Sequence, residues 1–220
     1  MSRVDIVIGP TASGKTSFAI QHANKHDGVI INADSMQVYD ALPTLTARPD
    51  EREQAQADHR LYATLPPWDY CGAGRWRDMV IPEMDAVIAQ GRRPILVGGS
   101  GFYLNALLKG FSPIPDIPID VRLSLEELDQ AERYARLQSV DPELAEKLHE
   151  NDTQRITRAL EVFTHTGTPL SEWQNRPLIP PPAAYQFHII ALLPERERVY
   201  EAINTRVDVM VENGVMAEVE

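Results

Sequence analysis

Eight residues near the start of the chain have the composition and spacing to hold a phosphate. Gly9-Pro10-Thr11-Ala12-Ser13-Gly14-Lys15-Thr16 fits the phosphate-binding loop pattern, with two glycines five residues apart followed by Lys and Thr. The glycines let the backbone curl so that successive N–H groups point at one anion, and a following helix adds the positive end of its dipole. Lys15 would reach the distal phosphate oxygens, and Thr16 would offer its hydroxyl to Mg²⁺. Four fixed positions match by chance in roughly one chain in a hundred. Here the match also lies between a strand-like run and a helix-like one, which is the context this chemistry requires.

The loop leaves the reaction open. Classical nucleotide hydrolases carry an acidic residue at the end of a second apolar strand to hold Mg²⁺. The run at 95–97 ends in Gly98-Gly99-Ser100 and supplies none. Asp34 follows another apolar run, 29–31, at the sheet edge where ligands of open parallel sheets bind. Three roles fit it: a turn cap with Ser35, a metal ligand, or a general base for an incoming nucleophile.

The elements that must position these residues follow from periodicity. Runs at 4–8, 29–31, 94–97 and 186–193 read as buried strands, and stretches at 17–22, 75–90, from 102 to 108, and 195–212 read as helices. Residues 40–60, rich in Asp, Glu, Pro and Arg, read as an irregular solvated connection. Strand and helix alternate as in a doubly wound parallel sheet. The pattern breaks at the proline-rich 111–119 and resumes after 176–183. Between them lie three expected helices, at 121–138, 142–149 and 152–164. The expected fold is therefore α/β, a P-loop NTPase-like parallel sheet core (1–110 and 184–220) with a helical insertion domain (111–183).

Composition sets limits. The 220 residues are 43% hydrophobic and 24% charged, ordinary for a core-forming protein. No apolar run reaches the roughly 18 residues of a membrane span, and the N-terminus reads as a strand rather than a signal peptide; the expected location is cytoplasmic. The single cysteine, Cys71, excludes an internal disulfide framework and any multi-cysteine zinc site. A net charge of −11 argues against a generally basic nucleic-acid-binding surface, so any such contact needs a local basic groove.

Several motifs together resemble one family, the tRNA dimethylallyltransferases. They are the phosphate loop, then Asp34-Ser35-Met36-Gln37-Val38-Tyr39, Thr46-Ala47-Arg48-Pro49 and Val97-Gly98-Gly99-Ser100-Gly101-Phe102-Tyr103. The run from Asn151-Asp152-Thr153-Gln154-Arg155 through Glu161 and the stretch from Arg206 to Gly214 complete the set. They stand in the family's order and span nearly the whole chain. The resemblance implies transfer of the five-carbon group of dimethylallyl diphosphate to N6 of the adenine beside the anticodon of tRNA, with release of diphosphate. Lys15, Mg²⁺ on Thr16 and an arginine would stabilise charge on the leaving oxygens. Arg206 occupies the family's arginine position, though a solvated helix face would also accommodate it. Asp34 would take the N6 proton. The resemblance assigns tRNA contacts to Asp34, Ser35, Met36, Gln37, Ser100, Arg122, Gln154, Arg155, Ile156, Thr157 and Arg158.

Arg155 and Arg158 are three apart and share a helix face, which would give the local basic patch; the competing reading pairs them with Asp152 and Glu161. Trp68, Tyr70 and Trp76 are expected to be packing residues rather than base-stacking platforms, and His59 a structural histidine.

The chain departs from the family in three respects. Ser100 replaces a threonine but keeps the hydroxyl. Asp40 and Arg48 stand where many members have Arg and Lys, and neither is given a role. Members usually continue past the position of Glu220 through a helical segment rich in Arg and Gln, so a short form, a fragment and an impaired chain all fit. The expectation is a monomer that binds tRNA and dimethylallyl diphosphate and no membrane. The competing readings are a small-molecule P-loop kinase, a prenyltransferase for free adenine nucleotides, and a chain that binds diphosphate or tRNA without turnover.

Overall fold

β1 (Ser2–Ile8) runs into the glycine loop and α1 (Lys15–His26), and β2 (Gly28–Asn32), α2 (Glu51–Gln54), β3 (His59–Arg60), α3 (Ala73–Ala89), β4 (Arg93–Val97) and α4 (Gly101–Lys109) follow. Next come α5 (Ile119–Glu126), α6 (Gln130–Val140), α7 (Pro142–Ala145), α8 (Thr153–Thr166) and α9 (Leu170–Asn175), then β5 (Tyr185–Ala191), α10 (Arg196–Glu212) and α11 (Val215–Val219). The computed structural model describes residues 1–220. The chain divides into two units, Met1–Lys109 with Pro181–Glu220, and Gly110–Pro180.

The first unit is built on a five-stranded sheet in the order β3-β2-β4-β1-β5, parallel at every pairing. Parallel strands are covered on both faces and so read as continuous apolar runs. Val7, Ile30, Ile95 and Val97 pack with Ala19, Ile20 and Ala23 of α1. In α3, Trp76, Val80, Met84 and Val87 recur at helical spacing and are fully buried. Each such side chain contributes about 1.5–3 kcal/mol. Pro82 interrupts the hydrogen-bond ladder of α3 but stands on its exposed side.

Four strand ends meet at the carboxyl edge. Ala33 N–H donates to Val97 O (2.8 Å), Gly98 N–H to Val7 O (3.3 Å) and Leu192 N–H to Ile8 O (2.8 Å). The approach is so close at Gly98 that a Cβ there would lie 2.1 Å from Ala33 O. Only glycine fits.

The sequence reading of the first unit needs correction in three places. Residues 40–60 are not wholly irregular: α2 is closed by a capping box between Asp50 and Glu53, and β3 adds a short edge strand. The run at 4–8 is not purely apolar. Asp5 is fully buried, with Oδ1 2.7 Å from Arg3 Nε and Oδ2 2.8 Å from His22 Nε2 and 3.6 Å from Arg93. Burial opposes its ionisation, but the hydrogen bonds from Arg3 and His22 and the charges of Arg3 and Arg93 more than offset that and lower its pKa. Finally, α11 follows α10 after a left-handed Gly214.

In the second unit, Leu125, Leu137, Ile156, Ala159, Leu160 and Val162 make a separate apolar core. The single helix expected at 121–138 is two helices. Asp129 accepts the Glu132 amide and Glu132 answers on the Asp129 amide, which starts a new helix at that point. α9 is an additional helix that the sequence reading did not anticipate.

Candidate functional site

The glycine loop is shaped by close approach. A Cβ on Gly9 would lie 2.6 Å from Ser13 Oγ and 2.7 Å from Leu192 O, and Gly14 has a φ of 81°. Ala12 also takes a left-handed φ, 61°, which costs a non-glycine residue about 1 kcal/mol. The first amides of α1 have no acceptor within the helix and present an anion site. Lys15 folds over the loop, its Nζ donating to Gly9 O (2.9 Å) and Pro10 O (2.7 Å).

Lys15 also shows what lies around it. Burial lowers its pKa, the carboxylate of Asp34 pushes back up, and the guanidinium of Arg206 lowers it further. The phosphate lysine, the strand-end carboxylate and the arginine of α10 therefore lie within electrostatic reach of one another. Along α10, Val199, Ala202, Ile203, Arg206 and Met210 form the half-buried stripe of an otherwise exposed helix, so Arg206 is not on the solvated face.

Asp34 is held from several directions. Its Oδ1 accepts the Met36 amide (2.9 Å), an Asx turn that leaves Oδ2 for other work. Asn32, fully buried, accepts the Asp34 amide (2.8 Å) and donates to the Asp34 and Leu61 carbonyls (3.0 and 3.1 Å). Trp76 Nε1 in turn donates to Asn32 O (3.0 Å). Ser100 Oγ accepts the Ser35 amide (2.8 Å) and lies 3.1 Å from Ser35 Oγ. Met36 is 55% exposed. Gln37 is not wholly available to a partner, because its Nε2 donates to Thr46 O and Ala47 O, both at 2.9 Å.

Sequence reasoning missed Asn32 and Tyr62. Tyr62 is set between two left-handed residues, Leu61 and Ala63. Burial, with the charges of Asp34 and Glu53, raises its pKa, so it stays a neutral phenol. A polar residue at the end of an apolar strand could have flagged Asn32; nothing local marks Tyr62.

The donors here suit a magnesium ion held largely by a ligand's phosphates. Thr16 hydroxyl and Asp34 carboxylate are hard oxygen donors, and Ser13 Oγ is buried in the loop without a partner. No group of three or more His, Cys, Asp or Glu side chains is placed to hold a metal by itself.

The remaining candidates lie in the second unit. Gln154 and Arg155 are exposed, and Thr157 and Arg158 half-buried. Ile156 is fully buried in the helical core, so it cannot touch RNA; it seats the helix that displays its neighbours. The arginines have carboxylate partners. Arg155 pairs with Asp152 (3.5 Å), Arg158 with Glu161 (2.9 Å), and Arg122 with the same Glu161 (3.8 Å). Of the aromatic residues read as packing, Trp76 is fully buried and stacks on Tyr103, whereas Trp68 and Tyr70 are 83% and 54% exposed. His59 is half-buried and hydrogen-bonded to Ala57 O.

Residues 37–220 match the IPP transferase family. The tRNA dimethylallyltransferase of Paramagnetospirillum magneticum is 48% identical over 218 residues, covering 97% of this chain and 69% of the relative. That of Granulibacter bethesdensis is 45% identical, covering 99% and 69%. Among solved structures, a eukaryotic dimethylallyltransferase acting on tRNA is similar with a TM-score of 0.79 and 29% identity, over 99% of this chain and 55% of that one. A tRNA isopentenylpyrophosphate transferase from Staphylococcus epidermidis has a TM-score of 0.64 and 32% identity, over 100% and 72%.

Proposed function

The chain belongs to the IPP transferase family, the tRNA dimethylallyltransferases, and we propose that it transfers a dimethylallyl group from dimethylallyl diphosphate to N6 of the adenine beside the anticodon. The observation that carries this reading is Lys15 folded over the phosphate loop, within electrostatic reach of Asp34 and Arg206. A lysine and an arginine at an anion-binding loop suit a leaving diphosphate, and a carboxylate with one oxygen uncommitted suits a proton acceptor.

The chemistry balances as follows. The N6 lone pair forms a bond to the terminal allylic carbon while the C–O bond to diphosphate breaks, and the leaving oxygen keeps that electron pair. Charge develops on the diphosphate and on the allylic carbon, so fixed cations at the leaving group stabilise the transition state more than the ground state. Lys15, Arg206 and the loop amides supply that field. Asp34 Oδ2 takes the N6 proton, with its carboxylate oriented by the Met36 amide and its backbone by Asn32. Thr16 would hold Mg²⁺, which when bound adds positive charge at the diphosphate.

The target adenine stands in a single-stranded loop, where it can leave its stack. Ser35, Met36, Gln37 and Ser100 would meet it from the first unit, and Arg122, Gln154, Arg155, Thr157 and Arg158 would meet RNA from the second. In this reading the protein works as a cytoplasmic monomer; no helix is long and apolar enough to cross a membrane.

The test is transfer of labelled dimethylallyl from its diphosphate to an anticodon stem-loop, with Mg²⁺ present. Label on a stem-loop with the adenine, and none when guanine replaces it, is the expected result. Binding of the diphosphate with phosphoryl transfer in place of prenyl transfer would overturn the reading.

A further inference from the structure

The turn at 42–48 is an unusual piece of backbone. Leu42 and Ala47 both take left-handed φ values, 53° and 46°, without being glycine. The turn is closed on itself by Thr46 N–H to Leu42 O (3.0 Å), Ala47 N–H to Thr44 O (3.0 Å) and Arg48 N–H to Pro43 O (3.1 Å). Strain of this kind persists only where surroundings over-determine it. Two side chains outside the turn do so here, one of them remote in sequence. Glu218 of α11 accepts the amides of Thr44 and Leu45, one on each carboxylate oxygen, both at 2.8 Å. From the other side, Gln37 donates to the carbonyls of Thr46 and Ala47.

These contacts form a continuous path. Glu218 lies four residues beyond Gly214, in the helix joined to α10, and α10 carries Arg206. Gln37 directly follows Met36, whose amide orients Asp34. The catalytic carboxylate and the diphosphate arginine come from elements far apart in sequence, and the 42–48 turn ties one to the other. Resting on the prenyl-transfer reading, we propose that Glu218 is a positioning residue: its carboxylate clamp on the 42–48 turn fixes the Asp34 turn relative to the helix bearing Arg206.

A carboxylate is the right group for this. It accepts two adjacent amides with charge-assisted bonds, whereas an amide side chain accepts one and sets its own N–H₂ against the other. Hydrogen bonds from Thr44 and Leu45 and the charge of Arg48 lower its pKa against the opposing effect of burial, so the clamp stays ionised at neutral pH.

The experiment compares Glu218→Ala and Glu218→Gln with the parent chain by amide hydrogen exchange and by steady-state transfer. The clamp predicts faster exchange at Thr44, Leu45 and also Met36, with diphosphate affinity changed less than about twofold. It predicts kcat lowered about tenfold in Glu218→Ala, with Glu218→Gln intermediate, and little further loss when Glu218→Ala is added to Asp34→Asn. Unchanged exchange at Met36 in both variants overturns the proposal, whether or not the chain transfers prenyl groups. A parent that fails to transfer label to any RNA contradicts the prenyl-transfer reading instead, while the Met36 exchange still decides the clamp. A normal kcat with a lost clamp also overturns it, leaving Glu218 as a stabilising contact only. Should Glu218→Ala fail to fold, Glu218→Gln gives the same discrimination through exchange at Met36.

Discussion

The phosphate edge of the first unit and the arginine face of α8 in the second unit both gather positive charge, and they manage it in opposite ways. At the phosphate edge, Lys15 donates to neutral backbone carbonyls, and its nearby charges are one carboxylate, Asp34, and a second cation, Arg206. Burial first, and then the charge of Arg206, lower the lysine pKa against the pull of Asp34, an arrangement that an arriving anion relieves. On α8, each arginine has a carboxylate partner within its own unit, Asp152 for Arg155 and Glu161 for Arg158, and Glu161 is shared with Arg122 of α5. The first arrangement stores affinity for an anion. The second balances its charge with carboxylates of its own unit. The contrast also reconciles a net charge of −11 with the proposed RNA substrate, since the arginines at issue are local and partnered.

Four substitutions or conditions would break or sharpen this comparison. Removing the ammonium in Lys15→Ala has the largest expected effect, a loss of about 10²–10³ in kcat/KM with weakened diphosphate binding by calorimetry. A variant that binds diphosphate normally would show that the loop amides suffice. Arg206→Ala should cost about tenfold to a hundredfold in kcat, with RNA affinity unchanged in a filter-binding assay. If RNA affinity falls and kcat holds, Arg206 belongs to the RNA face instead. Glu161→Gln acts on the other region: it releases Arg122 and Arg158, so RNA affinity at low salt should rise severalfold while the helical unit loses about 1–3 kcal/mol of stability. Weaker RNA binding would mean that the carboxylate aims the arginines rather than masking them. The smallest effect is in pH. Because the Lys15 pKa is lowered, its positive charge is complete below that value and lost as pH rises through it. Diphosphate affinity of the free protein should therefore decline at a lower pH than an ordinary exposed lysine would give. A pH-independent affinity up to the usual lysine range would contradict that assignment.

What could be read from the sequence was what is local. The glycine loop declares itself because its function depends on contiguous spacing, and Asp34 because it follows an apolar strand. The alternation of strands and helices gave the parallel sheet for the same reason. Three details were legible and went unread. The Asp-x-x-Glu runs at 50–53 and 129–132 mark helix starts, and each proves to be a capping box. Ile156 shares its spacing with Ala159 and Leu160, which places it on the buried face of α8 and out of reach of RNA.

The rest depends on residues distant in sequence. The charge pairing of the buried Asp5 carboxylate needs Arg3, His22 and Arg93 from three elements. The turn at 42–48 is held by Glu218, more than 170 residues away. Arg206 could be assigned to the half-buried stripe of α10 only once the helix was placed, because an amphipathic pattern gives the stripe but not what it faces. The exposure of Trp68 runs against the habit of tryptophan to be buried, and composition offered no sign of it.

The central claim is that one site holds diphosphate with cations and accepts a proton with Asp34, two tasks on different residues. Asp34→Asn keeps the turn-forming oxygen and removes the base, so the most direct measurement is single-turnover prenyl transfer and diphosphate affinity on that variant side by side. The account predicts a fall in transfer of about 10²–10⁴ with diphosphate affinity within a few-fold of the parent chain. Transfer that persists at the parent rate would contradict the assignment of the base, and an equal loss of diphosphate binding would mean that Asp34 serves the anion site rather than the proton.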